Sequence, residues 1–182
     1  MPTNIDKPIT DPISGETFRC ISSDEKAFVM EWTVQPHGYV PFEHIHLNQD
    51  EIFEIQEGEI KVLIDGKEYI GRAGDTIVVP KGKKHLAKNN QAEVLRCIVS
   101  YTPALDYEKF MQCLLGLIQD GHQGEKGGVK IPMMGYCLDK MNCQAMARPT
   151  EIPAPVFGIS LKVFRLMGFF AGWEKLYQKY IS

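Results

Sequence analysis

Residues 38–58 read Gly-Tyr-Val-Pro-Phe-Glu-His-Ile-His-Leu-Asn-Gln-Asp-Glu-Ile-Phe-Glu-Ile-Gln-Glu-Gly. His44 and His46 are separated by one residue, and on an extended strand that spacing points both to one face of a sheet. Two imidazoles aimed at one spot can share a metal ion. The step from His46 to Glu51 is odd, so a regular strand would turn the carboxylate away. The polar run Asn48-Gln49-Asp50 permits a bend that re-aims it. Gly38 and Gly58 stand where turns enter and leave the stretch.

Working outward, residues 74–89 answer the first segment. Thr76 to Val79 is a short β-branched strand, Pro80-Lys81-Gly82 a turn, and His85 starts the next strand. The two segments together resemble the cupin superfamily. Gly38, His44, His46, Glu51 and Gly58 match its first motif, and Gly74, Pro80, Gly82, His85 and Asn89 its second. The chain is similar to the small single-domain members often compared with quercetin dioxygenase, over residues 15–102. The resemblance implies a mainly β fold, a cupin jelly-roll (double-stranded β-helix barrel), with His44, His46, Glu51 and His85 as metal ligands. Residues 103–182 lie outside it.

Such a set offers three neutral imidazoles and one carboxylate. It suits one divalent transition metal ion (Fe, Mn, Ni, Zn or Co) and leaves coordination positions open for water, oxygen or substrate. The function expected is that of a metal-dependent enzyme, dioxygenase-like, acting on a small organic molecule. Alternatives are a non-catalytic ligand-binding or sensor module, and a Lewis-acid isomerase or decarboxylase. Strand parity nominates Met30, Trp32, Phe42, Phe53, Val62 and Ile77 as the substrate wall, an apolar lining that a plain packed core would share. Glu43 falls on the opposite parity from His44. Arg96 either faces inward, to hold a substrate carboxylate, or outward on the sheet.

Composition bounds the rest. The 182 residues carry a net charge of −3 and 44% hydrophobic residues, with a pI of about 6.0. That excludes a general basic field for nucleic acid and provides ample material for a core. Lys81, Lys83 and Lys84 read as a solvated hairpin tip. Five cysteines without a CxxC, and a start without a secretory pattern, fit reduced thiols in a cytoplasmic protein. His122, Cys137 and Cys143 fit no structural zinc spacing.

Residues 1–14, with Pro2, Pro8 and Pro12, are expected as an extended arm draped over the barrel or a partner. Residues 27–35 alternate as a half-buried strand, and Asp65-Gly66 marks a hairpin. About eight or more short strands with regular turn signals precede residue 103. Beyond it helices are expected at 104–119, 133–147 and 161–180, with Pro149, Pro153 and Pro155 as a stiff linker. In the last helix Val163, Leu166, Met167, Phe170, Trp173, Leu176, Tyr177 and Tyr180 form one broad stripe. It reads as packing against the barrel or a second subunit, with a membrane-surface helix as the alternative. A homodimer binding a small-molecule ligand, without nucleic acid or membrane, is the resulting expectation.

Overall fold

A computed structural model describes residues 2–141 and 147–182. Its strands are β1 (Ile9–Asp11), β2 (Glu16–Ser23), β3 (Phe28–Val34), β4 (His44–His46), β5 (Asp50–Glu57), β6 (Glu59–Ile64), β7 (Lys67–Arg72), β8 (Thr76–Val79), β9 (Lys84–Lys88), β10 (Leu95–Thr102) and β11 (Ala147–Pro149). Its helices are α1 (Tyr107–Gln119), α2 (Ile131–Met141), α3 (Ala154–Ala171) and α4 (Trp173–Ile181). The strands form two antiparallel sheets, ordered β1-β2-β3-β10-β5-β8 and β11-β4-β9-β6-β7. The fold is mainly β, a jelly-roll of the cupin kind carrying a C-terminal helical extension.

Period-two patterning builds the sandwich. In β3, Phe28, Met30, Trp32 and Val34 are buried while the residues between them are half-buried. β10 repeats this with Leu95, Cys97, Val99 and Tyr101. These inner faces meet Ile60 and Val62 of β6 in one core. The motif residues hold the frame. Asn89 is buried, and its Nδ2 donates to the carbonyls of Val34, Gln35 and Glu93. Gly58 turns with φ +78°, and a Cβ there would stand 2.5 Å from the Val94 carbonyl oxygen. Any other residue would be strained and would clash.

The amino-terminal arm is tied to the edge of the first sheet and to the helices. Its β1 pairs with β2, Asp11 is fully buried, and the Thr3 amide donates to the Tyr180 carbonyl of α4. The arm is a sheet strand because Ile5 and Ile9 have core positions to fill.

The helices pack as a second cluster around Leu117, Cys137, Leu161 and Tyr180. The residues expected as a proline linker instead form β11 and the start of α3, which begins seven positions earlier than the pattern suggested. Pro155 sits in the first helical turn, where a missing amide costs nothing. The single helix expected over 161–180 is two, separated at Gly172 with φ +72°. The expected stripe divides there as well. Tyr177 and Tyr180 are buried, whereas Val163, Leu166, Met167 and Phe170 are exposed. α3 instead buries Phe157, Leu161 and Gly168. The second helix begins at Ile131, and Ala147, its expected last residue, belongs to β11; residues 142–146, with Cys143, lie outside the described residues.

Candidate metal centre

β4 and β9 place the imidazoles. His44 is the direct antiparallel partner of His85, so both project from one face, and His46 follows two residues on. Glu51 arrives from the other sheet, at the start of β5. The bend that brings it in is held by Gln49, fully buried, whose Nε2 donates to the carbonyls of Pro103 at 2.7 Å and Ala104 at 2.9 Å.

One ligand atom from each of His44, His46, Glu51 and His85 lies within 4.8 Å of the others. His85 Nε2 is 2.6 Å and His46 Nε2 3.5 Å from Glu51 Oε2. His44 Nε2 and His46 Nε2 are 3.2 Å apart. Two nitrogens bound at about 2.1 Å to a common ion stand roughly 3 Å apart, so this spacing suits shared coordination. His46, Glu51 and His85 are buried and His44 is half-buried. Nδ1 of His44 lies 3.3 Å from the Phe42 carbonyl and Nδ1 of His85 3.2 Å from the Lys83 carbonyl. Nδ1–H donating to those carbonyls leaves the Nε2 lone pairs directed at the centre, the usual backing for a ligating histidine. His85 Nε2 and Glu51 Oε2 are buried and face only other atoms of the cluster. Such atoms are costly unless something satisfies them, and a cation does so. The residues therefore fit a divalent ion.

The cluster's electrostatics turn on Glu51. Burial opposes charge on Glu51, but the flanking His85 and His46 outweigh it and hold the carboxyl well below its usual range. Burial, together with His85 and His46, keeps His44 neutral far below the ordinary histidine value. Burial also works against charge on His85, and Glu51 overcomes it, so that histidine is raised.

A cavity of about 240 Å³ opens beside the cluster, between the barrel and the helices. Met30, Trp32, Phe42 and Phe53 line it together with His44, His46 and Glu51. Phe42 sits at the half-open rim with its ring edge-on to His44. Val62 and Ile77, nominated by the same parity, are buried core residues outside this lining. Ile77 meets Ile55 and Ile60 around Gly71. Arg96 points outward, toward Glu31 and Glu57, and Glu43 accepts a hydrogen bond from the Thr150 hydroxyl.

Sequence reasoning missed much of the lining, including Tyr101, Tyr107, Glu16 and Arg148. Tyr101 is opposite Glu51 in register, and its hydroxyl donates to Glu51 Oε1 at 2.7 Å. Its position at the inward end of β10 carried the signal. Tyr107 of α1 stacks on it with centroids 3.8 Å apart. Glu16 is buried, accepting from Ser14 Oγ at 2.8 Å and Trp32 Nε1 at 3.1 Å, and burial pushes its carboxyl up to about 8. Arg148 of β11 borders the cavity and donates to the Ile152 carbonyl.

Comparison with known proteins agrees with this architecture. Residues 30–101, less than half of the chain, match the family model described as Cupin domain. KdgF from Halomonas sp. superposes with a TM-score of 0.51 at 18% identity, covering 58% of this chain and 94% of that one. An RmlC-like cupin from Shewanella frigidimarina gives 0.48 at 22% identity, covering 55% and 86%. A sugar phosphate isomerase of the cupin superfamily from Silicibacter pomeroyi gives 0.47 at 20% identity, covering 51% of this chain and 62% of that one, so the match spans less than two thirds of that protein. At these identities the likeness is one of fold. No curated protein sequence matches.

Proposed function

We propose that the chain is a metal-dependent, dioxygenase-like enzyme that acts on a small apolar organic molecule. The observation that carries this is the placement of four convergent ligands, their donor atoms turned toward one another, on the wall of a largely apolar cavity. His44, His46, Glu51 and His85 would hold the ion. Bound there, it supplies Lewis acidity and open positions, and, if redox-active, a means of bringing substrate and oxygen together. Met30, Trp32 and Phe53 exclude water and orient an apolar body toward the ligands. The Tyr101 hydroxyl fixes the rotation of the Glu51 carboxylate.

A second reading rests on Glu16. A carboxyl raised to about 8 in the same cavity is protonated near neutrality and can deliver a proton to a bound substrate. That favours a Lewis-acid isomerase or decarboxylase.

Elemental analysis of protein purified without chelator, followed by oxygen-uptake assays over a panel of small enediols and aromatic diols, separates them. Iron or nickel with metal-dependent oxygen uptake supports the first. Zinc or manganese with turnover lacking oxygen uptake, and abolished in Glu16→Gln, supports the second. Protein free of transition metal, and unable to take one up, overturns both.

A further inference from the structure

α3 has two apolar faces. Phe157, Leu161 and Gly168 pack inward, and Phe157, Ser160 and Phe164 border the cavity. On the other side Val156, Ile159, Val163, Leu166 and Phe170, spaced by three or four residues, form a stripe along the whole helix. These residues are 49–79% exposed. Single exposed apolar residues are ordinary, but a continuous stripe marks a contact surface.

The helix is long and apolar enough to cross a membrane by length and composition. Its inner face argues against crossing. A Cβ on Gly135 of α2 would stand 2.4 Å from the Phe164 ring, and one on Gly168 2.2 Å from the Tyr136 ring, so α3 is closely seated on the protein. A helix held in this way can present its outer stripe only side-on.

Charge distinguishes the possible occupants. α3 carries Lys162 and Arg165 and no acidic residue, and Lys175 is exposed just beyond it. On a helical wheel Lys162 borders the stripe on one side, while Arg165 lies further round and pairs with Asp139 of α2 at 3.3 Å. A second copy of α3 laid along the stripe would offer Lys162 no carboxylate, since α3 has none. Lipid phosphates complement the same pattern.

We propose that α3 docks the chain on an anionic lipid surface. The outer stripe enters the acyl boundary, and Lys162 and Lys175 meet the headgroups. The docking does not depend on what the cavity or the metal centre does.

The test is sedimentation of the full chain with phosphatidylcholine vesicles, with and without about a quarter phosphatidylglycerol. The wild type should pellet with the anionic vesicles and be released by high salt. Lys162→Gln should weaken binding by about fivefold. Ile159→Asp combined with Phe170→Asp should abolish it, with metal content and melting temperature unchanged. Wild-type protein that stays in the supernatant overturns the proposal. So does a lipid-free dimer in sedimentation equilibrium that the double variant converts to monomer, because the stripe would then be a self-association face.

Discussion

The Tyr101 hydroxyl and the Glu51 carboxylate are joined by a 2.7 Å hydrogen bond between directly opposed residues of neighbouring strands. One carboxylate oxygen is thereby fixed, and the other is turned to His85 and His46. Removing the phenol by Tyr101→Phe leaves the ring stacked on Tyr107 but frees the carboxylate to rotate. Metal affinity should fall by about 10- to 100-fold, the usual cost of losing such a partner. Competition against a chromophoric chelator measures it, and an unchanged affinity would remove Tyr101 from any positioning role.

His46→Ala deletes one of the four ligands. The purified variant should be depleted of metal. Saturating metal should stabilise the wild type by about 3 kcal/mol, or roughly 5–10 °C for a chain of this size. Chelation should therefore lower the melting temperature of the wild type and leave that of the variant almost unmoved. Equal shifts in both would place the ion elsewhere.

Glu16 sets a pH dependence of folding. Its carboxyl is raised from 4.5 to about 8, chiefly by burial, so the folded chain holds this proton more tightly than the unfolded chain. Its contribution is fully favourable below the unfolded value. It is lost as pH rises through the window up to about 8, with an amplitude on the order of a few kcal/mol. Glu16→Gln should flatten urea-denaturation stability across that window, and a variant with the wild-type slope would exclude Glu16 as the source.

Gly135 marks where α3 is seated on α2 within the helical extension. Since a Cβ there would lie 2.4 Å from the Phe164 ring, Gly135→Val should cost about 1–3 kcal/mol in chemical denaturation. Metal content should persist, because the ligands are on β4, β5 and β9. Loss of metal in a folded variant would show that the extension supports the centre.

The motifs were legible because ligand spacing is a backbone property. The parity of β4 aims His44 and His46 together, and the polar bend before Glu51 re-aims the carboxylate. The placement of Val62 and Ile77 was not legible, since parity separates inside from outside but not one depth of a barrel from another. The start of α3 was hidden because proline serves equally as a linker residue and in a first helical turn. The exposure of its stripe was hidden for a related reason: periodicity reveals an apolar face, not which of two apolar faces the protein itself covers. β2 and β11 escaped notice because one is rich in polar residues and the other is three residues long.

The four ligands are divided between the sheets, with His44, His46 and His85 on the one containing β4 and β9 and Glu51 on the one containing β5. An ion at their meeting point would act as a rivet through the sandwich. Without it the two layers are joined there by packing and by the contacts of Glu51 with His85 and His46. Occupancy therefore bears on how far the layers can part, and amide hydrogens of β4 and β5 should exchange more slowly in the loaded protein than in the emptied one.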